Sequence, residues 1–183
     1  MYKETTALRK ILKIKKRLRI VQGGTRAGKT IAILLILIEI AQTKKDKIIS
    51  VVSESVPHLR RVVIRDFLDI LNSQKLYEDS RWNQTNFIYT FDSRSIVEFF
   101  GADQPDKVRG HRRDILFENE CNNLSYETHT QLAIRTSGPI YLDYNPVSEF
   151  WVHTELLKGS NYDFDILTYK DNEALDEAIV SQI

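Results

Sequence analysis

The chain of 183 residues has a single cysteine, Cys121, which excludes an intramolecular disulfide and any cysteine-cluster metal site and fits a reducing compartment. Excess charge is equally scarce: 26 basic against 25 acidic residues leave a formal +1, so no global field draws the protein to nucleic acid or an acidic membrane. Any such contact must be local. No basic, apolar, small-residue signal opens the chain, and the longest apolar run, Ile31 to Ile38, falls far short of the roughly 20 residues that cross a bilayer. A soluble, intracellular protein without a membrane partner is expected. Internal repeats and low-complexity tracts are absent, and His58, His111, His129 and His153 lack metal-ligand spacing.

What remains is an ordinary folded composition, 42% hydrophobic and 28% charged, at a length that supports one sizeable core. The one local excess of charge is Leu8 to Arg19, with seven Lys or Arg and no acid. Leu8, Ile11 and Leu12 have helical spacing, so this segment reads as a solvated helix face beside the core, with a DNA contact as the alternative. "LRIVQ", Leu18 to Gln22, reads as a short strand, and Thr30 to Thr43 as a helix apolar on nearly all sides. "IISVVS", Ile48 to Ser53, suits a buried parallel strand. From Leu59 to Leu71, apolar residues at 59, 62, 63, 67, 68 and 71 mark one face of a second helix. "FIYTF" and "SIVEFFGA" around Asp92-Ser93-Arg94 form a hairpin, an antiparallel addition to the sheet. Ile115 to Phe117 is a strand, Ser125 to Arg135 a helix, and Ile140 to Tyr144 a strand ended by Asn145-Pro146. Strands alternating with helices imply a mainly parallel, helix-covered sheet. The closing pattern "LDEAIVSQI" is helix-like without a cap or breaker, which suggests a longer parent cut at a domain edge.

Gly23, Gly28, Lys29 and Thr30 match G-x-x-x-x-G-K-[ST] between a strand and a helix. Glycines permit the turn in which successive N–H groups point inward at a phosphate, backed by the positive end of the following helix. The cradle would be Gly23, Gly24, Thr25, Arg26, Ala27, Gly28, Lys29 and Thr30, with Lys29 on the β- and γ-phosphates and the Thr30 hydroxyl on Mg²⁺. ATP with Mg²⁺ is the expected ligand. A second acid should stand at the end of a neighbouring strand, and "ILFENE" offers Glu118, Asn119 and Glu120. Two registers are open. In one, Asn119 takes the magnesium side and Glu120 polarises the attacking water; in the other, Glu118 is the magnesium acid and Asn119 orients water.

In this order, "VQGGTRAGKT", "VEFFGADQPDKVRG", "RRDILFENECNNLSYE", "IYLDYNP", "FWVH" and "TYKDNEAL" resemble the large terminase subunit of tailed phages, the motor that packages DNA into procapsids. The resemblance favours Asn119 and Glu120 in the first register, while Glu118 stands where an apolar residue is usual. It implies a P-loop NTPase of the additional-strand catalytic-glutamate type, with Ile140 to Tyr144 inserted between the P-loop strand and the glutamate strand. Asn145 would then sense the γ-phosphate. Arg26 resembles an arginine acting in cis and Arg109 one acting in trans, with Arg112 and Arg113 as rivals.

The resemblance further implies an ATPase domain over 1–183, a basic segment at 1–19 and a P-loop core at 20–183. A longer parent would carry a nuclease domain beyond it, so no DNA cleavage is expected of this chain. Implied partners are double-stranded DNA gripped without sequence preference, a portal protein, a small terminase subunit and further copies in a ring. The setting would be the host cytoplasm and the portal vertex of a procapsid. A helicase-like or repair ATPase, or a nucleotide-dependent assembly switch with little turnover, are the alternatives.

Overall fold

The computed structural model describes residues 4–110, 112–176 and 180–181. Strands among them are β1 (Leu18–Gly23), β2 (Ile48–Ser53), β3 (Trp82–Asn83), β4 (Ile88–Thr90), β5 (Ile96–Gly101), β6 (Ile115–Glu118), β7 (Ile140–Tyr144) and β8 (Tyr162–Leu167). They form one sheet in the order β3-β4-β5-β2-β6-β7-β1-β8. Every pair from β5 to β8 is parallel, and β3-β4-β5 is antiparallel. The inserted strand lies where the resemblance put it: β7 runs between β1 and β6, with Val21 opposite Asp143 and Glu118 opposite Leu142.

The helices are α1 (Thr6–Lys13), α2 (Lys29–Thr43), α3 (Val56–Arg61), α4 (Val63–Ser73), α5 (Pro105–Gly110) and α6 (Tyr126–Ala133). Side chains alternate across each strand, so neighbours in sequence join opposite layers. Val21, Val51, Phe99, Phe117 and Tyr141 meet α2 and α4 in one core; Ile20, Val52, Phe100, Leu116 and Leu142 meet Leu132 of α6 and Val152 in the other. With a core on either side, the sheet is apolar on both faces, which explains its near-continuous hydrophobic runs. The helix α2 buries residues on nearly all sides because α1 covers its outer surface.

Of the basic segment Leu8 to Arg19, only the part up to Lys13 is a solvated helix face; Leu18 and Arg19 open β1. Thr5 caps α1 by accepting a bond from the Leu8 N–H at 3.2 Å, and Ala7 and Ile11 face the core. Leu12 does not join them; it is 48% exposed. The expected helix over Leu59 to Leu71 is two helices. Val62, at φ −122° and ψ −74°, leaves the helical region, and the turn rotates its side chain outward to 36% exposure. The hairpin forms around Asp92-Ser93-Arg94, with the Phe91 N–H bonded to the Ser95 carbonyl at 2.9 Å. Of the helical pattern expected over 175–183, residues 177–179 and 182–183 lie outside the described residues. Among the described residues, no helix is long and apolar enough to cross a membrane.

Candidate functional site

The turn from β1 to α2 depends on two glycines. A Cβ on Gly23 would stand 2.5 Å from the Leu167 carbonyl oxygen of β8, and Gly28 caps α2 at φ 79°. Between them Arg26 also adopts a positive φ, 68°, and the Ala27 N–H closes the turn on the Gly24 carbonyl. Lys29 is buried at the first position of α2, with Nζ donating to the carbonyls of Gly23 (2.7 Å) and Gly24 (3.1 Å) and to Asn145 Oδ1 (2.8 Å). Burial pushes its pKa below the usual lysine value, against the opposing pull of Asp143 and Glu120. Asn145, directly after β7, thus touches the lysine of the loop.

The residues after β6 separate as alternation requires. Glu118 shares the face of Leu116; it is fully buried, with Oε1 2.8 Å from His129 Nδ1 of α6 and Oε2 without a partner. The His129 ring stacks on Trp151, centroids 4.8 Å apart. Glu118 is therefore on the sheet face opposite Thr30, and the structure does not bring it to the proposed magnesium side. Asn119 follows Phe117 onto the α2 face, its Nδ2 3.4 Å from Thr30 Oγ1 and 3.1 Å from Asp143 Oδ1. Glu120 takes a left-handed conformation, φ 49°, which ends the strand and turns its carboxylate to within 3.1 Å of His58 Nε2.

Sequence reasoning overlooked Asp143. Only 1% exposed, it accepts bonds from Thr30 Oγ1 at 2.9 Å and from the Glu120 N–H at 2.7 Å. Burial raises its pKa, opposed first by the charge of Lys29 and then by the Glu120 and Thr30 bonds. The available signal was a lone acid inside the apolar strand "IYLDY", on the face shared by Tyr141.

The arginines divide three ways. Arg26 has an exposed side chain beside the loop, and its carbonyl accepts a bond from Asn172 Nδ2 at 2.9 Å. Arg109 projects from α5 with its side chain 63% exposed, 4.0 Å from Glu127 and away from the residues that line the loop cleft. Arg113 is buried against Ser50 Oγ (3.0 Å) and the Leu132 carbonyl (3.1 Å), a core position that removes it as a rival; Arg112 is exposed.

Thr25 to Ile31, Glu120, Asn145 and Asn172 are among the walls of a cleft of about 270 Å³. A short turn, Tyr169–Asp171, holds its rim: Asp171 pairs with Lys10 at 2.9 Å, and Glu173 accepts from the Thr6 N–H at 2.8 Å. Asn119 Oδ1 is buried and without a partner. With its Nδ2 committed to Asp143, that oxygen and the lone pairs of the Thr30 hydroxyl can face a hard cation. Mg²⁺ takes few protein ligands when phosphates supply the others, so this sparse oxygen set fits it. Among the described residues, no group of three or more His, Cys, Asp or Glu could hold a metal on its own.

Residues 15–183 match the family described as phage terminase large subunit. No curated protein sequence matches. Among solved structures, the large terminase of a thermophilic bacteriophage aligns at a TM-score of 0.84 and 20% identity, over 99% of this chain and 50% of that one. The same terminase in complex with ATP-gamma-S gives 0.80 at 20% identity, over 97% and 48%. The large terminase ATPase domain of Thermus phage P74-26 gives 0.65 at 15% identity, over 91% and 81%. The chain spans about half the length of the thermophilic bacteriophage's terminase, and at these identities the likeness is one of fold.

Proposed function

We propose, from the premise that this chain belongs to the phage terminase large subunit family, that it hydrolyses ATP with Mg²⁺ and thereby drives double-stranded DNA into a procapsid. The observation that carries this reading is the convergence of Lys29, Thr30, Glu120 and Asn145, from separate chain segments, on one cleft, with Asn119 buried behind Thr30. The thermophilic bacteriophage's terminase, solved with ATP-gamma-S, supports a nucleotide as the ligand of that cleft.

In this reading the backbone N–H groups from Gly23 to Thr30 cradle phosphate oxygens at the positive end of α2. Lys29 exchanges the loop carbonyls for the β- and γ-phosphates, and Asn145, bonded to it, registers that exchange at the tip of β7. Thr30 and Asn119 would hold Mg²⁺, which when bound neutralises phosphate charge. Glu120 leaves His58 to orient the attacking water and accept its proton. Arg26 acts on the phosphates in cis, and exposed Arg109 reaches the site of a neighbouring copy, which makes a ring the active form.

DNA is gripped by phosphate contacts rather than by base reading, since packaging must proceed on any sequence. A portal protein and a small terminase subunit are the further partners, met in the host cytoplasm at the procapsid vertex. The residues 1–183 act as the ATPase domain and cut no DNA.

The test is the Mg²⁺-dependent ATP hydrolysis rate per chain over a wide range of protein concentration. We expect the rate to climb as copies meet. A flat, measurable rate would remove the trans arginine, and no turnover at any concentration would remove the ATPase.

A further inference from the structure

The second motif carries Asn119 where a magnesium-side acid would stand, yet the site holds a buried carboxylate from another strand. We infer that Asp143 of β7 supplies the negative charge of the magnesium site, with Asn119 as its neutral positioning partner. This rests on the nucleotide reading above and deepens it.

Three observations carry the assignment. First, topology: β7 is inserted directly beside β6, and the register Glu118 opposite Leu142 makes Asn119 and Asp143 the next adjacent positions. Both follow the parity of Phe117 and Tyr141 onto the α2 face, where Thr30 lies. Second, bonding: Asp143 Oδ2 is 2.9 Å from the Thr30 hydroxyl, and Oδ1 accepts from the Glu120 N–H and from Asn119 Nδ2. The carboxylate therefore touches the phosphate-loop threonine, the backbone of the water-activating glutamate and the motif's asparagine together. Third, an unfilled demand: Asn119 Oδ1 is buried without a partner, because the amide is held with its nitrogen toward Asp143.

The last point explains the residue type. An aspartate at 119 would set two carboxylates in contact in a dry site, which is strongly unfavourable. An amide there donates to Asp143 and leaves its own oxygen without a partner. One negative charge has in effect been moved from the end of one strand to the end of its neighbour. A carboxylate that only caps the Glu120 N–H is the competing account, and it predicts no dependence on the metal.

The experiment measures ADP affinity by calorimetry, with MgCl₂ and with EDTA, for the wild-type chain, Asp143→Asn and the swap Asn119→Asp/Asp143→Asn. Mg²⁺ should strengthen ADP binding by the wild type. In Asp143→Asn that strengthening, taken as the ratio of the affinities in MgCl₂ and in EDTA, should fall by roughly tenfold or more, the range for disturbed metal surroundings. The swap should restore it. Equal Mg²⁺ strengthening in Asp143→Asn and wild type would overturn the assignment, and so would equal losses with and without Mg²⁺. Should Asp143→Asn fail to fold, the swap decides: it keeps one carboxylate in the pair, and a swap that binds ADP but ignores Mg²⁺ overturns the proposal. A wild type that binds no ADP under either condition would instead overturn the nucleotide reading, and this inference with it.

Discussion

Replacing His129 by leucine isolates a carboxylate in the core, and the cost can be worked from the geometry. Glu118 is fully buried, its Oε2 has no partner, and Oε1 meets only His129 at 2.8 Å. Without His129 the carboxylate is left buried without a partner, which costs about 3–5 kcal/mol. For a domain of this size that is about 6–20 °C in Tm.

The pH dependence carries the sign. In the wild type, burial works against a charged His129, but the Glu118 carboxylate outweighs it and raises the pKa above 6.5. The pair's contribution is therefore complete below the unfolded histidine value of about 6.5 and is lost as pH rises through the raised one. In His129→Leu this decline should be absent, because the titrating imidazole is gone. Urea denaturation from about pH 5 to 9 spans the window. The double variant Glu118→Leu/His129→Leu removes the buried charge and should recover most of the stability, because well-packed apolar pairs often match or exceed buried ion pairs. A double variant as unstable as the single one, or a single-variant loss that ignores pH, would refute the reasoning.

Glu120→Gln should keep ATP binding and abolish turnover in a steady-state assay, whereas Glu118→Gln should leave turnover measurable; the opposite pattern would revive Glu118 as the acid. Arg109→Ala should lose hydrolysis that mixing with Glu120→Gln chains partly restores, since an intact arginine and an intact glutamate can then meet at one interface. Lack of recovery across mixing ratios would place its role within one chain. Gly23→Ala drives a methyl against the Leu167 carbonyl, 2.5 Å from an ideal Cβ, and should lower stability by about 1–3 kcal/mol by denaturation.

Local chemistry made the central strands and the phosphate loop legible in the sequence. Ile48–Ser53 and Ile140–Tyr144 are short β-branched or aromatic runs with breakers beyond them, and both form strands with those bounds. The inserted position of β7 came from the family resemblance, because strand order is a long-range property that no local pattern states. Asp143 escaped notice for the same reason: its meaning depends on β6 lying beside β7. β8 alternates Tyr162, Phe164 and Ile166 with Asp163 and Asp165, a period-two signal that went unread on a half-exposed edge strand. At Val62 the apolar spacing continues through a backbone break, since periodicity records which residues are apolar and not whether the helix between them is continuous.

Residues 171–173 attach to both α1 and the phosphate loop: Asp171 holds Lys10, Glu173 holds Thr6, and Asn172 holds the Arg26 carbonyl. Three consecutive side chains thus tie a surface helix to the turn where Gly28 and Arg26 stand in left-handed conformations. Coupling through one short element runs equally in both directions. A pull on the helix reaches the loop's backbone, and a loop that changes shape around its contents moves the helix by the same handle.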